Sequence, residues 1–232
     1  AGALANSSGT AVTYSGLLTL GSDATVNATG SITLSNAGTI TGSGSTLTLA
    51  GTATGSSMAS IVGTGAGGLT KTGTGTWTLS GASTYTGATT VSAGTLKLGA
   101  AGGTTNTPLG TVGSGTTVAS GATLDLNGYT LGTAEALTLN GTGVGGTAGA
   151  LANSSGTTVT YSGLLTLGSD ATVNATGSIT LSNAGTITGS GSTLTLAGTA
   201  TGSSMASILG TGAGGLTKTG TGTWTLSGAS TY

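Results

Sequence analysis

The feature that most constrains the fold of this chain is a long internal repeat. Residues 1–85 recur at 148–232, an offset of 147 residues, and the copies differ only by Ala11 against Thr158 and Val62 against Leu209. Residues 86–147 occur once, so 1–147 form one module and 148–232 form the start of a second, nearly identical module. Copies this similar indicate a fold in which each unit stacks on the next one. Both ends of the chain fall inside a module, so we expect one continuous solenoid that belongs to a longer array.

A finer pattern runs through the module. Short segments alternate apolar and hydroxyl-bearing residues and are separated by turns of glycine, serine and asparagine; they include 31–35, 46–49, 76–79 and 95–98. Period two is typical of β-strands, and no stretch has the apolar spacing of a helix. Many short strands favour a sandwich, a barrel or a solenoid, and the near identity of the modules favours the solenoid. We therefore predict an all-β parallel β-helix (β-solenoid) with three strands and about 20 residues per coil, in roughly 11 coils.

The composition excludes several classes of partner. Charged residues make up 3% of the chain, and its only cations are Lys71, Lys97 and Lys218. A nucleic-acid-binding protein needs clustered lysine and arginine, so we expect no nucleic-acid partner. No apolar run is long enough for a membrane-spanning helix. Between the 49 glycines stand threonine, valine, leucine and isoleucine, which favour an ordered pleated backbone over disorder.

The chain offers little for catalysis. It contains no histidine and no cysteine, which excludes the usual general base and the common nucleophile arrangements. Its acids are Asp23, Asp125, Glu135 and Asp170, the last being the copy of Asp23. Asp125 and Glu135 could form a carboxylate pair across adjacent coils, but alternation with Leu124 and Leu126 favours an Asp125 that points outward into water. We assign no catalytic, cofactor-binding or metal-binding residue, and we expect neither an enzyme nor a bound cofactor.

Two glycine-rich patterns give no binding site. The calcium-binding nonapeptide of β-helices is absent. Residues 63–68 are similar to a phosphate-binding loop, but they lack the following Lys-Ser/Thr pair and a helix. We therefore interpret 63–68 as a coil corner.

Several side chains could be either structural or functional. Trp77 and its copy Trp224 fall at inward positions, so a core plug is favoured over a sugar-stacking surface. Tyr85 and Tyr232 close a turn segment and are expected at a coil edge.

Two further residue types are harder to place on the coil. Lys71 and its copy Lys218 share the inward parity of the neighbouring leucines, so we expect a bulge or turn to rotate them into solvent. Four asparagines near glycine turns are expected to tolerate left-handed backbone or to stack as ladders: Asn27, Asn36, Asn127 and Asn140.

One segment resembles a known family. Residues 68–99 read GLTKTGTGTWTLSGASTYTGATTVSAGTLKLG. They resemble the passenger-associated (autotransporter-associated) β-strand repeat, whose pattern is L-T-K-x-G-x-G-T-x-x-L-S-G-x-x-x-Y-x-G-x-T-x-V-x-x-G-T-L, at every fixed position. A second copy starts at Gly215 and reaches Tyr232. Residues 121–128 are also typical of such passengers.

The resemblance implies a right-handed β-helix, extracellular on a bacterial cell surface, exported through an outer-membrane barrel or a related route. Any attachment to the outer membrane would come from regions outside this chain. The resemblance implies no chemistry, because passengers of this family are mainly adhesins, stalks and biofilm material.

Three functions remain open at the sequence level. The first is a structural stalk or fibre, and the second is an adhesive or glycan-binding passenger that acts through many weak contacts with a host surface or matrix. The third is ice binding by threonine arrays such as 46–48 and 76–78, which is disfavoured because asparagine, serine and lysine interrupt the threonine ranks. Uncapped solenoid ends and low charge also predict end-to-end or lateral self-association.

Overall fold

The computed structural model describes residues 2–232; Ala1, the first residue of the module, lies outside the described residues. The chain is all-β, and its parallel strands wind into a β-solenoid of about ten turns. The described residues contain a single 3-10 turn at Val144–Gly146, and none of their helices is long and apolar enough to cross a membrane. The prediction of an all-β parallel solenoid is confirmed.

The 25 strands within residues 2–232 are short, and most have three to five residues. In chain order they are β1 Leu4–Asn6, β2 Val12–Tyr14, β3 Ala24–Ala28, β4 Ile32–Leu34, β5 Thr39–Thr41, β6 Leu47–Gly51, β7 Ser56–Met58, β8 Ile61–Gly63, β9 Leu69–Lys71, β10 Thr76–Leu79, β11 Thr89–Val91, β12 Gly94–Leu98, β13 Thr116–Val118, β14 Ala122–Asp125, β15 Leu137–Gly141, β16 Leu151–Asn153, β17 Val159–Tyr161, β18 Leu165–Ala175, β19 Ile179–Leu181, β20 Thr186–Thr188, β21 Leu194–Gly198, β22 Ser203–Met205, β23 Ile208–Gly210, β24 Leu216–Lys218 and β25 Trp224–Leu226.

Parallel pairing arranges these strands on three faces of the rod. Face 1 stacks β1, β3, β6, β9, β11, β13, β15, residues 165–167 of β18, β20 and β23. Face 2 stacks β2, β4, β7, β10, β12, β14, β16, residues 171–175 of β18, β21 and β24. Face 3 holds β5 and β8 at one end and β17, β19, β22 and β25 at the other.

Irregular segments carry face 3 between those two sets of strands. The backbone N–H of Thr84 donates to the carbonyl of Val62 at 2.8 Å, and the N–H of Ser83 donates to the carbonyl of Thr107 at 3.0 Å. Further along, the N–H of Thr160 donates to Thr130 Oγ1 at 2.9 Å. Hydrogen bonds between successive turns therefore continue along this part of face 3, although none of its segments between β8 and β17 is a regular strand.

The turns differ in length. Trp77 pairs with Leu96 on the next turn, whereas Leu96 finds its own next partner only at Leu124, so the second of these turns is much the longer. Three strands per turn is right, but the turn length expected from the sequence is too short for the second half of the module, where loops such as 99–115 enlarge the turns. The chain therefore makes about ten turns rather than 11.

The interior is narrow and is filled mainly by stacked aliphatic side chains. Leu47 lies on Leu69, and Leu124 lies on Leu151; all four are completely buried. Glycine shapes one corner of this rod. Gly73 has φ 69°, and a Cβ there would collide with the carbonyl oxygen of Gly51, whose own φ is 109°. Only glycine combines left-handed backbone with so close an approach between successive turns.

Candidate binding site at the module junction

The tail of the first module, 86–147, supports the head of the second one. On face 2, β14 pairs with β16, which sets Leu124 beside Leu151 and Asp125 beside Ala152. On face 1, β15 pairs with the beginning of β18. The junction is thus a continuation of the ladder, without a linker.

Three polar side chains meet on face 2 at this junction. Asp125 Oδ1 accepts the backbone N–H of Ser154 at 3.0 Å and that of Asn127 at 2.9 Å, while Asp125 Oδ2 accepts Ser154 Oγ at 2.6 Å. Lys97 is the register neighbour of Asp125; its Nζ lies 3.5 Å from Asp125 Oδ2 and donates to Ser154 Oγ at 3.3 Å. These contacts fasten a residue of the second module to two residues of the first.

A shallow groove of about 200 Å³ lies beside this cluster. Its walls are Thr95, Thr123, Asp125, Ala148, Ala152, Asn153, Ser154, Asn174 and Thr176. Residues from both modules line it, and seven of the nine carry hydroxyl, amide or carboxylate groups, set in a lining whose exposed surface is mainly apolar carbon. Polar groups beside apolar carbon can hydrogen-bond and pack against polyhydroxylated ligands in water, so the groove is a candidate binding surface.

The groove depends on contacts between the two modules. Asn174 Nδ2, in the second module, donates to the carbonyl of Thr147, in the first module, at 2.9 Å. Tyr161 of the second module is 1% exposed, and its hydroxyl donates to the carbonyl of Glu135 in the first module. The tail 86–147 therefore helps to shape the surface of the module that follows it.

Glu135 is a second polar feature of the junction, but it is buried. Its Oε1 accepts Thr116 Oγ1 at 2.8 Å, its Oε2 has no hydrogen-bond partner, and its backbone carbonyl accepts the hydroxyl of Tyr161 at 2.6 Å. Desolvation by burial raises the pKa of Glu135 to about 7, against the smaller opposing effect of the Thr116 hydrogen bond. Burial also raises the pKa of Tyr161.

The acids do not form a catalytic pair. Asp125 and Glu135 share no hydrogen-bond partner: the former binds the junction serine, the latter a threonine in the core. Asp125 does take the outward parity, but the expectation of a water-facing acid is wrong, because the Lys97 and Ser154 side chains cover it to 5% exposure. Asp23 and Asp170 each accept a backbone N–H of the next turn. Within 2–232, no three carboxylates lie close enough to hold a metal ion together.

Lys71 contradicts the expectation of a solvent-facing lysine. It continues β9 in regular register between Leu49 and Val91, with no bulge, and it is completely buried. Its Nζ donates to the carbonyls of Thr72, Gly73 and Ala93 at 2.7, 2.8 and 3.0 Å. The corner supplies one acceptor for each ammonium donor, so the side chain can stay inside. Desolvation lowers the pKa of Lys71 to about 8.

The copy of this lysine differs in exposure. Lys218 makes the same contacts with the carbonyls of Thr219 and Gly220, but it is exposed because no further turn covers it. The local sequence is therefore enough to direct the ammonium group to these two carbonyls, but burial of the lysine side chain requires the next turn of the solenoid.

Most other expectations about single side chains agree with the fold. Trp77 is a core residue, 1% exposed, and its indole N–H donates to the carbonyl of Ala50. Residues 63–68 form the corner between β8 and β9, with Gly65 at φ 63°. Tyr85 is fully buried rather than at an edge, with its hydroxyl 2.7 Å from Thr89 Oγ1.

The asparagines behave differently from one another. Asn127 has left-handed backbone, φ 49°, and Asn27 stacks between Ala5 and Ala50, so it forms no asparagine ladder. Asn36 and Asn140 instead donate from their amides to the backbone carbonyls of Ser15 and Val118.

Face 1 carries an unbroken file of threonines. Outward-facing threonines pair in register over eight successive turns: Thr25, Thr48, Thr70, Thr90, Thr117, Thr138, Thr166 and Thr188. The expectation of interrupted threonine ranks is wrong for this face, although on face 2 Ser57 and Lys97 do interrupt the rank. This is a single file, because the outward positions two residues after Thr25 and Thr48 are Asn27 and Ala50. Face 1 therefore lacks the two parallel rows of threonine that a flat ice-binding surface would need.

The junction cluster could not be read from the sequence. Lys97 and Asp125 lie on separate strands, and they become neighbours only because the turn between them is a long one. With a turn of the regular length expected from the sequence they would not meet. Ser154 and Asn153 carry no local signal of their contacts with Asp125 and Gly128 on the preceding turn. The one available signal was an outward lysine and an outward acid within the same unrepeated segment.

The comparisons with known proteins agree with the strand pattern. The family model of the passenger-associated-transport-repeat matches residues 69–98 and 216–232. The resemblance noted from the sequence is thereby confirmed at these residues, and it fits an autotransporter passenger, a class that is secreted to the cell surface. The first match covers β9–β12, which includes the buried Lys71 and Trp77. No curated protein and no solved structure matches the chain.

Proposed function

We propose that this chain is part of an extracellular structural array that forms a stalk or fibre on a bacterial surface. The observation that carries the proposal is the junction: parallel ladders continue from one module into the next, with Leu124 on Leu151 and Leu137 on Leu165. A unit that joins its copy in this way can be repeated without a new kind of contact. The passenger repeat supports a place outside the cell.

The length of the rod tests this proposal. Variants of the chain with residues 1–147 duplicated once or twice should lengthen by about 30 Å per added module, from six and one third turns at about 4.8 Å each. Negative-stain electron microscopy or small-angle scattering measures that increment. Particles that broaden instead of lengthening would refute a stalk built by repetition.

We further propose that the array has no catalytic activity. The absence of histidine and cysteine from the sequence supports this, as does the engagement of Asp125 by the Ser154 and Lys97 side chains. Both Asp125 oxygens already accept hydrogen bonds, so the carboxylate is poorly placed to take a proton from a substrate.

A second candidate function is glycan binding, and the junction groove favours it. One groove forms at each junction, so an array would carry one weak site per module and gain avidity by repetition. Thr176→Trp should fill the groove and abolish binding to a glycan array, whereas the same substitution at its copy, Thr29→Trp, should leave binding unchanged. Equal loss in both variants, or no glycan bound by the unmodified chain, would remove this candidate.

A further inference from the structure

The two copies of the repeated segment do not lie on the same face of the rod. Strand β1 is on face 1, beneath β3. Its copy, β16, is on face 2, where it stacks upon β14. Each nevertheless keeps the same upper partner, since Leu4 pairs with Val26 and its copy Leu151 pairs with Val173. The local fold is conserved while its position around the axis changes.

The other two faces shift in the same sense. Strand β2 lies on face 2, and its copy β17 lies on face 3. Strand β5 lies on face 3, and its copy β20 lies on face 1. Three independent elements thus move by one face, which is a third of a turn about the axis.

The cause is the number of turns in a module. From β1, six further strands reach β15 on face 1, and the next one-third of a turn leads to β16. A module of 147 residues therefore spans six and one third turns. The file of threonines on face 1 shows the same shift. Thr138 pairs with Thr166 on face 1, whereas Thr19, the copy of Thr166 in the first module, bridges Thr41 on face 3.

We propose that modules of this sequence present their outer surfaces in rotation, each one third of a turn beyond the one before. An array of such modules offers the same side chains, including the threonine file and the junction groove, on all three faces in succession. It returns to its starting face after three modules, which is 19 turns or about 90 Å. This surface fits a partner that meets the rod from any side, such as a second copy lying alongside. A flat, one-sided partner would meet a given surface on one module in three.

Engineered disulfides in the whole chain test the rotation. The chain has no cysteine, so introduced pairs are its only thiols. Neighbouring outward positions on parallel strands have Cα atoms close enough for a disulfide. The rotated junction places Thr138 beside Thr166. If a module instead filled a whole number of turns, β16 would lie on β15 and Thr138 would stand beside Ala152.

Three double variants should be oxidised in parallel and analysed by mass spectrometry of peptides. The positive control is Thr117→Cys with Thr138→Cys, which pair on face 1 within one module. This disulfide should form whether or not the next module is rotated, so it defines the oxidation conditions. Under those conditions Thr138→Cys should close with Thr166→Cys and stay reduced with Ala152→Cys. Closure of the 138–152 pair overturns the rotation, and so does failure of the 138–166 pair while the control closes. None of these results depends on whether the protein is a stalk or binds a glycan.

Discussion

Lys71 stays inside a thin apolar core because the backbone supplies all its acceptors. The chain turns with left-handed backbone at Gly73, and the carbonyls of Thr72, Gly73 and Ala93 converge on the ammonium group. A buried cation without such partners would be very unfavourable. This lysine therefore ties one turn to the next, and it belongs to the segment that the passenger-repeat model matches.

Lys71→Met should destabilise the fold, since it leaves three half-buried carbonyls without their donor. The loss expected is about 1–3 kcal/mol, the range for an unsatisfied buried group, because water can reach part of these carbonyls. Urea denaturation followed by circular dichroism measures it. Lys218→Met is the matched control, because this exposed copy should change stability by no more than about 0.5 kcal/mol. Similar shifts for both variants would contradict a role for the buried carbonyl contacts.

Glu135 should make stability depend on pH. Its pKa is raised from 4.5 to about 7 in the folded chain, so the folded state holds the proton more tightly than the unfolded state does. Its contribution is complete below pH 4.5, is lost as the pH rises towards 7, and stays lost above that. Glu135→Gln keeps the shape without the charge, so its denaturation midpoint should not fall across this pH range. An identical fall in both proteins would mean that Glu135 is not the group responsible.

At the scale of the strand, alternation decides which side chains enter the core. In β6, Leu47 and Leu49 are completely buried while Thr48 faces outward between Thr25 and Thr70. Each strand is too short to be stable alone, so its order comes from the neighbours above and below it. A defect in one strand therefore affects two interfaces.

Leu47→Asp should unfold at least the turns around β6, because it places an unpaired carboxylate among leucines. The expected loss is several kcal/mol. Thr48→Asp, one residue away and on the outer surface, should lose no more than about 1 kcal/mol, the range of β-propensity. Circular dichroism in the far ultraviolet compares the β content of the two proteins. The assigned faces would be wrong if the two variants lost the same signal.

The sequence predicts the strands well and the length of the turns poorly. Alternation places Leu47, Trp77 and Leu124 inside, and all are buried, because the period of two is a local property of the backbone. Alternation also places Lys71 at an inward position, which is correct. The prediction that a bulge or turn would rotate this cation into solvent was wrong. Turn length is set by loops without alternation, so the meeting of Lys97 with Asp125 could not be foreseen.

At the scale of the molecule, both ends of the rod offer apolar surface. Val12 and Tyr14 are 42% and 37% exposed at one end, and Leu226 is 46% exposed at the other. Inside the rod, Val159 and Leu79, the counterparts of Val12 and Leu226, are 1% exposed because adjacent turns cover them. With a formal net charge of −1, little electrostatic repulsion opposes contact between such ends.

The chain should therefore associate end to end as its concentration rises. Multi-angle light scattering should show a mass that grows beyond 21.2 kDa, and Leu226→Lys, a charge on one end, should reduce that growth. A monodisperse monomer at high concentration would contradict the prediction. Unchanged growth in the lysine variant would place the contact on the sides of the rod instead.

The fractional number of turns in a module has a genetic consequence. Where the same module sequence recurs along an array, recombination between copies could delete or insert one module while the ladders on both sides stay continuous. Everything distal to the event would nevertheless swing by a third of a revolution. Only the gain or loss of three modules at once would leave the orientation of the distal part of the rod unchanged. The number of modules would therefore set the orientation of that part about the axis as well as the length of the rod.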